Sequence, residues 1–274
     1  MERDDDVELR LLLEAIYSAY HYDFRRYAKA SLKRRLTAAQ VRFRCESLSQ
    51  LQDRVLHDAA LFPALLDYLT VQVSDMFRDP AYFLAVRQKV VPLLRTYPSL
   101  KLWVAGCSAG EEAYSLAILL REEGLLDRTL IYATDINHEA LRRAEMGIYE
   151  AARMAQFSRN YLEGGGKASL SDFYSSAYDN AVLDKSLRRN IIFSDHSLAT
   201  DNVFAEVQFV SCRNVLIYFD RDLQSRALGL FSEALCRKGF LGIGPRESLS
   251  FSPAGKEFRE LAREERLYQK VDGV

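Results

Sequence analysis

The chain has 274 residues, of which 49% are apolar and 27% charged, a composition that supports a buried core and excludes a disordered or fibrous protein. With 37 Lys and Arg against 38 Asp and Glu, the net charge is −1, which removes any global argument for nucleic-acid binding. No apolar run approaches the roughly 18 residues of a membrane span, and the acidic residues 1–6 do not resemble a signal peptide. We therefore expect a cytoplasmic protein of one large or two modest domains.

The cysteines and histidines are too scattered to form a metal centre or a disulfide framework. The cysteines form no CxxC pair and have no histidine at metal-ligand spacing; they are Cys45, Cys107, Cys212 and Cys236. The four histidines are equally dispersed. We expect free thiols, as is usual in a reducing compartment, and no bound metal.

Residues 1–88 predict an all-α domain. Apolar residues recur at helical spacing over residues 7–16, and residues 61–71 form another apolar helix. Between them, Ser47 is placed to cap a helix that includes residues 51–56. This part of the chain has no glycine and no strand-like alternation.

Residues 89–274 predict an α/β domain, because short apolar runs alternate with helical stretches as in a parallel sheet. The predicted strands are 100–104, 129–133, 207–211, 240–243 and 267–271. The predicted helices between them are 111–123, 139–146 and 222–236. Residues 150–192 break this rhythm with three consecutive glycines and short tyrosine-containing runs, which predicts a small β-rich antiparallel insertion.

The loop after the first predicted strand is the most informative segment. It contains Gly106 and Gly110, and Glu111 and Glu112 begin the following helix. Glycines let the backbone approach a nucleotide-type ligand at a helix N-terminus. However, the spacing is not G-x-G-x-x-G, and the two carboxylates would repel a pyrophosphate. They favour a ligand with a cationic end, and hence S-adenosylmethionine over NAD.

Asp135 supports an adenosine ligand. It follows the second predicted strand, where a carboxylate can accept both ribose hydroxyls. A plainer role, as the cap before the helix at 139–146, is compatible with this one.

Residues 106–110 also match the G-x-S-x-G elbow of serine hydrolases. That elbow follows several strands, whereas only helices are predicted before Ser108. Neither His138 nor His196 lies late enough for the usual Ser–Asp–His order. The cofactor loop is therefore the better interpretation.

Five segments, in order, resemble the chemoreceptor glutamate methyltransferases of the CheR family. They are VSDMFRDP at 73–80, GCSAGEEAYS at 106–115, ATDI at 133–136, CRNVLIYFD at 212–220 and GPRESL at 244–249. The resemblance spans nearly the whole chain. It implies a class I S-adenosylmethionine-dependent methyltransferase with a Rossmann-like sheet, a small antiparallel β insertion and an all-α N-terminal domain. The implied reaction transfers methyl from this cofactor to glutamates of a receptor helix and releases S-adenosylhomocysteine.

The resemblance also implies the site, position by position. The catalytic residues would be Arg78 and Tyr218, which flank the substrate carboxylate. The cofactor-binding residues would be Gln72, Ser74, Arg78, Gly106, Glu112, Asp135, Ser197, Leu198, Asn214 and Val215. Of these, Glu112 would bind the amino group of the methionine part and Asp135 the ribose.

The chain departs from the family pattern at two places. Ala109 replaces a common Thr in the loop, and Pro245 and Arg246 replace His-Ser. In the family, the β insertion can dock the C-terminal peptide of a receptor, which residues 150–192 neither indicate nor exclude. A receptor of motility and a receptor of surface attachment both fit the resemblance.

The implied reaction needs little acid–base catalysis. A glutamate with a pKa near about 4.3 is already ionised at pH 7, so neither a base nor a metal is required. Positioning and exclusion of water would lower the barrier, by roughly 7–11 kcal/mol in favourable cases. Arg78 could donate two parallel hydrogen bonds to the substrate carboxylate, and Tyr218 could donate one. The alternatives are an interdomain ion pair for Arg78 and a packed aromatic for Tyr218.

A basic segment distinguishes the helical domain. It has eight cations and no acid, namely Arg25, Arg26, Lys29, Lys33, Arg34, Arg35, Arg42 and Arg44. Lys29 and Lys33 lie one turn apart and, with Arg26, make one helix face positive. An acidic receptor helix is the expected partner; nucleic acid, an anionic membrane surface and a solvated face without a partner are the alternatives. We expect no nucleic-acid partner and no membrane insertion.

Two other functions stay open at this point. One is a catalytically silent scaffold that keeps the cofactor pocket within a signalling array. The other is a methyltransferase on the same fold that modifies a small molecule or RNA. The joint presence of Arg78, Glu112, Asp135, Asn214 and Tyr218 favours the enzyme.

Overall fold

The computed structural model describes residues 4–271 and begins with four helices packed on one another. They are α1 (Asp4–Tyr20), α2 (Lys29–Phe43), α3 (Leu48–His57) and α4 (Leu61–Leu69). Their apolar faces form one core that includes Leu12, Leu36 and Leu65. The predicted cap is confirmed, since the Ser47 side chain accepts the backbone N–H of Gln50 at 3.1 Å. Within the described residues, no helix is both long and apolar enough to cross a membrane.

A helical connection leads into the sheet. It comprises α5 (Pro80–Ala85), a π-helical turn (Val86–Val90) and α6 (Val91–Leu94). Its buried side chains belong to the core of the sheet, not to that of the four helices. Leu69 therefore packs in the core of the four helices, whereas Met76 packs in the core of the sheet. The predicted domain boundary at residue 88 lies further on, inside this helical connection. Helical periodicity continues through it, so the sequence pattern did not mark the change of core.

Seven strands form the main sheet in the order β6-β2-β1-β7-β8-β10-β9. They are β1 (Leu100–Ala105), β2 (Thr129–Asp135), β6 (Ile191–Asp195), β7 (Val207–Cys212), β8 (Leu235–Ile243), β9 (Phe258–Ala262) and β10 (Leu267–Lys270). The first five strands in this order are parallel, and β10 is antiparallel to both of its neighbours, β8 and β9. Side chains alternate between two cores, with Leu102 and Val104 facing one and Trp103 and Ala105 the other.

The predicted strands and the helices between them are confirmed, except that β8 begins five residues earlier than predicted and β10 is antiparallel to its neighbours. The main helices are α7 (Glu111–Glu122), α8 (His138–Met146) and α11 (Arg221–Ala234). The sequence analysis missed β9, because this edge strand carries the exposed Arg259 and Glu260 at its centre and so lacks an apolar run.

The insertion is confirmed as a three-stranded antiparallel sheet, but it is less β-rich than predicted. Its strands are β3 (Ile148–Glu150), β4 (Tyr174–Ala177) and β5 (Asn180–Leu183), in the order β3-β5-β4. It also contains α9 (Ala151–Glu163), which was not predicted, and the short α10 (Lys185–Arg188). The buried residues Met154, Phe157 and Tyr161 of α9 have helical spacing, a signal that the sequence carried.

Candidate functional site

An open cavity lies where β1, β2 and β7 end at their carboxyl ends, the usual ligand position in such sheets. Its empty volume is about 880 Å³, including solvent at the mouth. Ten of the eleven predicted site residues line it: Gln72, Ser74, Arg78, Gly106, Glu112, Asp135, Leu198, Asn214, Val215 and Tyr218. The tertiary structure thus brings together positions that are up to 146 residues apart in the chain.

Ser197 is the predicted residue that does not line the cavity. Its hydroxyl accepts the backbone N–H of Ala199 at 3.3 Å, and its own N–H donates to Asp201 at 2.9 Å. It therefore shapes the turn that carries Leu198 and His196, both of which do line the cavity.

The glycine loop closes on the end of β2. The N–H groups of Gly106 and Cys107 both donate to the carbonyl of Thr134, at 2.8 and 2.9 Å. Gly106 has φ of +76°, and a Cβ there would lie 2.4 Å from a methyl carbon of Val215. Position 106 therefore requires glycine for its conformation and for the space beside Val215.

Ser108 connects this loop to its neighbours. Its N–H donates to Asp135 at 2.8 Å, and its hydroxyl donates to Oε1 of Gln72 at 2.6 Å. A serine nucleophile instead needs its hydroxyl on a general base such as histidine. The arrangement is that of a binding loop, which argues against the hydrolase alternative.

Asp135 is buried beneath the loop, and both of its carboxylate oxygens accept backbone N–H groups. One bonds Ser108 and the other bonds Asn137 at 3.0 Å. Burial raises the pKa of Asp135, while these backbone hydrogen bonds oppose the shift. Because each carboxylate oxygen has a second acceptor position, Asp135 can still accept ribose hydroxyls.

Glu112 is held in place by residues of β7 and the following loop. Its carboxylate accepts the hydroxyl of Ser211 at 2.6 Å and Nη1 of Arg213 at 3.1 Å. Arg213 also donates to the carboxylate of Asp79 at 2.7 Å and stacks on the ring of Tyr82 at 4.0 Å. This network fixes the Glu112 carboxylate at the cavity wall, where it can accept an ammonium group.

The structure separates the two glutamates that the sequence analysis paired. Glu111 is only 2% exposed, does not line the cavity, and forms an ion pair with Arg153 of α9 at 3.1 Å. Burial raises the pKa of Glu111. Of the two, only Glu112 lines the cavity, since adjacent residues on a helix point in different directions.

Arg78, Tyr218 and Asn214 also line the cavity. The guanidinium of Arg78 donates to the carbonyl of Val73 at 3.1 Å and forms no salt bridge among residues 4–271. Tyr218 lies in the loop after β7, on the same cavity wall as Asn214 and Val215. Asn214 has φ of +60°, an uncommon conformation for a residue other than glycine.

Glu247 forms hydrogen bonds to the backbone of the loop after β7. It is buried, and its carboxylate accepts the N–H groups of Gly244 and Ile217. Burial raises the pKa of Glu247, and the backbone hydrogen bonds oppose that shift. The sequence analysis noted the segment around Glu247 and assigned no role to this side chain.

Other cavity residues were not predicted, among them Tyr27, Arg35, His196 and Arg213. Arg35 was counted among the cations of the basic segment without a role, and its side chain lines the cavity. Arg213 lies within a recognised motif, which could have drawn attention to it. Tyr27 carries no local signal, because the contact between its segment and the loop around Phe219 joins parts of the chain that are distant in sequence.

The basic face is more neutralised than the sequence suggested. Arg26 pairs with Asp222 at 2.8 Å, and Lys33 pairs with Asp6 at 2.5 Å. Of the three cations singled out for partner binding, only Lys29 has no salt bridge among the described residues. The acidic partners were invisible to the sequence analysis because they come from α1 and the start of α11.

The cavity fits S-adenosylmethionine. Glu112 provides an anion for an ammonium group, and Asp135 provides acceptors for ribose hydroxyls. Gly106 and Val215, which packs against it, form part of the cavity wall. These are the groups that a sulfonium-containing amino acid joined to adenosine requires.

Comparison with known proteins agrees with this geometry. The model of the CheR methyltransferase S-adenosylmethionine-binding domain matches residues 72–264, and that of the CheR all-alpha domain matches residues 7–70. Cher3 of Pseudomonas putida, named as a methyltransferase of unproven activity, is 58% identical over 98% of both chains. A chemotaxis protein methyltransferase of Listeria monocytogenes is 30% identical over 83% of this chain and 84% of its own. The chain belongs to the CheR methyltransferase family.

Proposed function

We propose that this protein transfers the methyl group of S-adenosylmethionine to glutamate side chains of a chemoreceptor or a related signalling receptor. The observation that carries the proposal is that Arg78, without a salt bridge among the described residues, shares one cavity with Tyr218, Glu112 and Asp135. A guanidinium without a carboxylate partner beside a cofactor site suits a substrate carboxylate.

The chain's own residues would bind and orient the two reactants. Glu112 would bind the ammonium of the methionine part, Asp135 the ribose, and Leu198 would pack beside the adenine. Arg78 and Tyr218 would hold the substrate carboxylate, and the helical domain would exclude water from the reacting groups.

The bound cofactor supplies an electrophilic methyl on a sulfonium. A carboxylate oxygen of the substrate forms the new bond to this methyl carbon, and the sulfur keeps the electron pair of the bond that breaks. The opposite charges of the two reactants cancel, and no proton is transferred. The reaction therefore needs no general base, since the glutamate is ionised at pH 7.

The proposed substrate is an acidic helical region of a membrane receptor. Family relatives support two settings: chemotaxis for the Listeria protein, and biofilm formation for WspC of Pseudomonas aeruginosa, which is 28% identical over 71% of this chain and 46% of its own. Lys29 and Arg34, exposed on α2, would meet the acidic surface around the methylated glutamates.

Labelled-methyl transfer to receptor fragments tests this proposal. We expect the label to be released as methanol in mild alkali, as for a carboxyl methyl ester, and substitution of the substrate glutamate by glutamine to abolish labelling. Arg78→Ala should lower kcat and kcat/KM together, by about tenfold or more. Alkali-stable label, or label in small molecules or RNA, would contradict glutamate methylation. Cofactor binding without any transfer would indicate a silent scaffold.

A further inference from the structure

Residues 73–79, which lie between α4 and α5 and include Arg78, have an uncommon backbone conformation. Phe77 and Asp79 have φ of +52° and +57°, in the left-handed region that residues with a side chain rarely adopt. The guanidinium of Arg78 donates to the carbonyl of Val73 within the same segment. Because such a conformation persists only where its surroundings hold it, the position of Arg78 depends on the contacts that residues 73–79 make with the rest of the chain.

Helix α9 of the insertion supplies several of these contacts. Nη2 of Arg153 donates to the carbonyl of Ser74 and to the carboxylate of Asp75, the latter at 3.2 Å. Asn160, two turns further along α9, donates to the carbonyl of Met76 at 3.1 Å. The insertion is therefore bonded directly to residues 73–79, although 79 positions separate Arg153 from Ser74 in the chain.

Arg153 also contacts the start of α7. Its Nη1 donates at 3.1 Å to the carboxylate of Glu111, the first residue of that helix and the neighbour of Glu112, which lines the cavity. The other carboxylate oxygen of Glu111 is buried and has no hydrogen-bond partner among residues 4–271. Burial raises the pKa of Glu111, and a backbone hydrogen bond and Arg153 oppose that shift. One guanidinium thus joins the insertion, residues 73–79 and the helix that carries Glu112.

We propose that Arg153 is a positioning residue for methyl transfer: it fixes residues 73–79 against the start of α7 and so determines where the guanidinium of Arg78 lies relative to the cofactor. This inference rests on the proposed function and gives the insertion a part in the reaction. Arg153 is not among the residues that line the cavity, whereas Ser74 and Arg78 are. It therefore acts through these residues and not by touching a reactant.

A structural role and a positioning role of Arg153 predict different kinetics. An ion pair that only stabilises the fold leaves kcat unchanged in the protein that stays folded. A positioning residue lowers kcat in folded protein, because a small displacement of a group that orients the substrate slows the reaction. Since Arg153 would act through Arg78, its loss should matter little once the Arg78 side chain has been removed.

The first arm of the experiment measures methyl transfer to one receptor fragment by Arg153→Met, Arg78→Ala and the variant with both changes. Methionine keeps an apolar stem against the ring of Phe157 and removes the donors of Arg153. We expect Arg153→Met to lower kcat about tenfold or more, and Arg153→Lys to recover part of that loss. The variant with both changes should be no slower than Arg78→Ala alone.

The matched control for this arm is Arg159→Met. Arg159 is exposed on the same helix and donates to Gln156 within it, so its loss should leave kcat unchanged. An unchanged kcat in Arg153→Met, or fully additive losses when it is combined with Arg78→Ala, would overturn the proposal.

The second arm separates positioning from stability. Loss of Arg153 leaves the carboxylate of Glu111 buried without its cation, which destabilises the fold. Adding Glu111→Gln to Arg153→Met removes this unpaired charge. We expect urea unfolding to show that the combined variant is more stable than Arg153→Met, while its kcat stays low. Recovery of kcat together with stability would mean that Arg153 acts through the fold alone, contrary to the proposal.

The third arm does not depend on catalysis. The protein is labelled with ¹⁵N-arginine and loaded with S-adenosylhomocysteine, and the Nε–H signal of Arg78 is identified by its loss in Arg78→Lys. We expect this signal to shift in Arg153→Met and to stay in place in Arg159→Met. That shift without transfer to any receptor fragment would reject the proposed function and keep Arg153 as the residue that positions Arg78. Transfer with an unmoved Arg78 signal would reject this inference and keep the function.

Discussion

Asp135 combines three roles in one buried side chain. It would bind the cofactor ribose, it closes the glycine loop through Ser108, and it accepts the N–H of Asn137 at the start of α8. Asn137 in turn caps α8 by accepting the N–H of Ala140 at 2.9 Å. A substitution at Asp135 therefore alters binding and local structure together, and the choice of variant decides which effect is measured.

Asp135→Asn should weaken S-adenosylhomocysteine binding by about 1.5–3 kcal/mol, the range for hydrogen bonds to a charged group. Asparagine keeps one acceptor for the backbone donors and loses the charge. Asp135→Ala should also lower the free energy of unfolding, because the N–H groups of Ser108 and Asn137 lose their partner, at about 1–3 kcal/mol each. Calorimetry and urea unfolding separate the two effects, and equal cofactor affinity in Asp135→Asn and the wild type would remove Asp135 from the site.

The raised pKa of Asp135 predicts a pH dependence. Its contribution to stability is fully present below the unfolded pKa of about 3.9 and is lost as pH rises through the higher folded value, because burial disfavours the charged form. Cofactor binding should have the opposite sign, since the ionised carboxylate is the better acceptor. We expect S-adenosylhomocysteine affinity to fall as pH drops through the raised pKa, and this fall to be absent in Asp135→Asn.

At the scale of elements, the loop between β1 and α7 is built around backbone conformations that few residues adopt. Gly106 and Gly110 have positive φ, and so does Ser108 between them. The loop is held by the carbonyl of Thr134 and by Asp135, both from the end of β2. The cofactor wall therefore depends on pairing between β1 and β2 as well as on its own glycines.

Gly106→Ala should destabilise the fold and weaken cofactor binding. The left-handed conformation costs a residue with a Cβ about 1–2 kcal/mol, and the new methyl would collide with Val215. Gly229→Ala is the matched control: Gly229 lies within α11, a methyl group added there would meet no atom within 4 Å, and the variant should gain about 0.5–1 kcal/mol. Thermal unfolding with and without S-adenosylhomocysteine measures both, and equal stability of the two variants would refute the argument.

At the scale of the whole molecule, the cavity has walls from both parts of the chain. The segment before α2 is bonded to the loop after β7: Ala28 N–H donates to the carbonyl of Tyr218, and Asp220 N–H donates to that of Arg26, both at 2.8 Å. Tyr27 packs against Phe219 with ring centroids 4.9 Å apart. The helical domain therefore reaches the backbone of the Tyr218 loop directly.

Cofactor binding should stabilise both parts together. S-adenosylhomocysteine at about 100 times its Kd should raise the free energy of unfolding by about 2.7 kcal/mol. In hydrogen exchange, we expect slower exchange in residues 69–74 and at the start of α2 as well as in residues 106–110. Helix α3 does not line the cavity and serves as the internal control. Protection confined to the sheet and its loops would contradict a cavity shared by the two parts.

The sequence by itself predicted the parallel sheet, the helical beginning and the cavity residues Gly106, Glu112 and Asp135, whereas the other seven came only from the resemblance to a known family. Apolar periodicity is set by which face each element buries, and glycines and carboxylates at strand ends carry a local signature. Only the tertiary structure decided that Glu111 is paired with Arg153, that Arg26 and Lys33 are paired, and that Arg35 lines the cavity. These outcomes depend on contacts between side chains of elements that are distant in the sequence. The pattern of residues along one helix does not show which of its cations forms an ion pair with a carboxylate on another element and which does not.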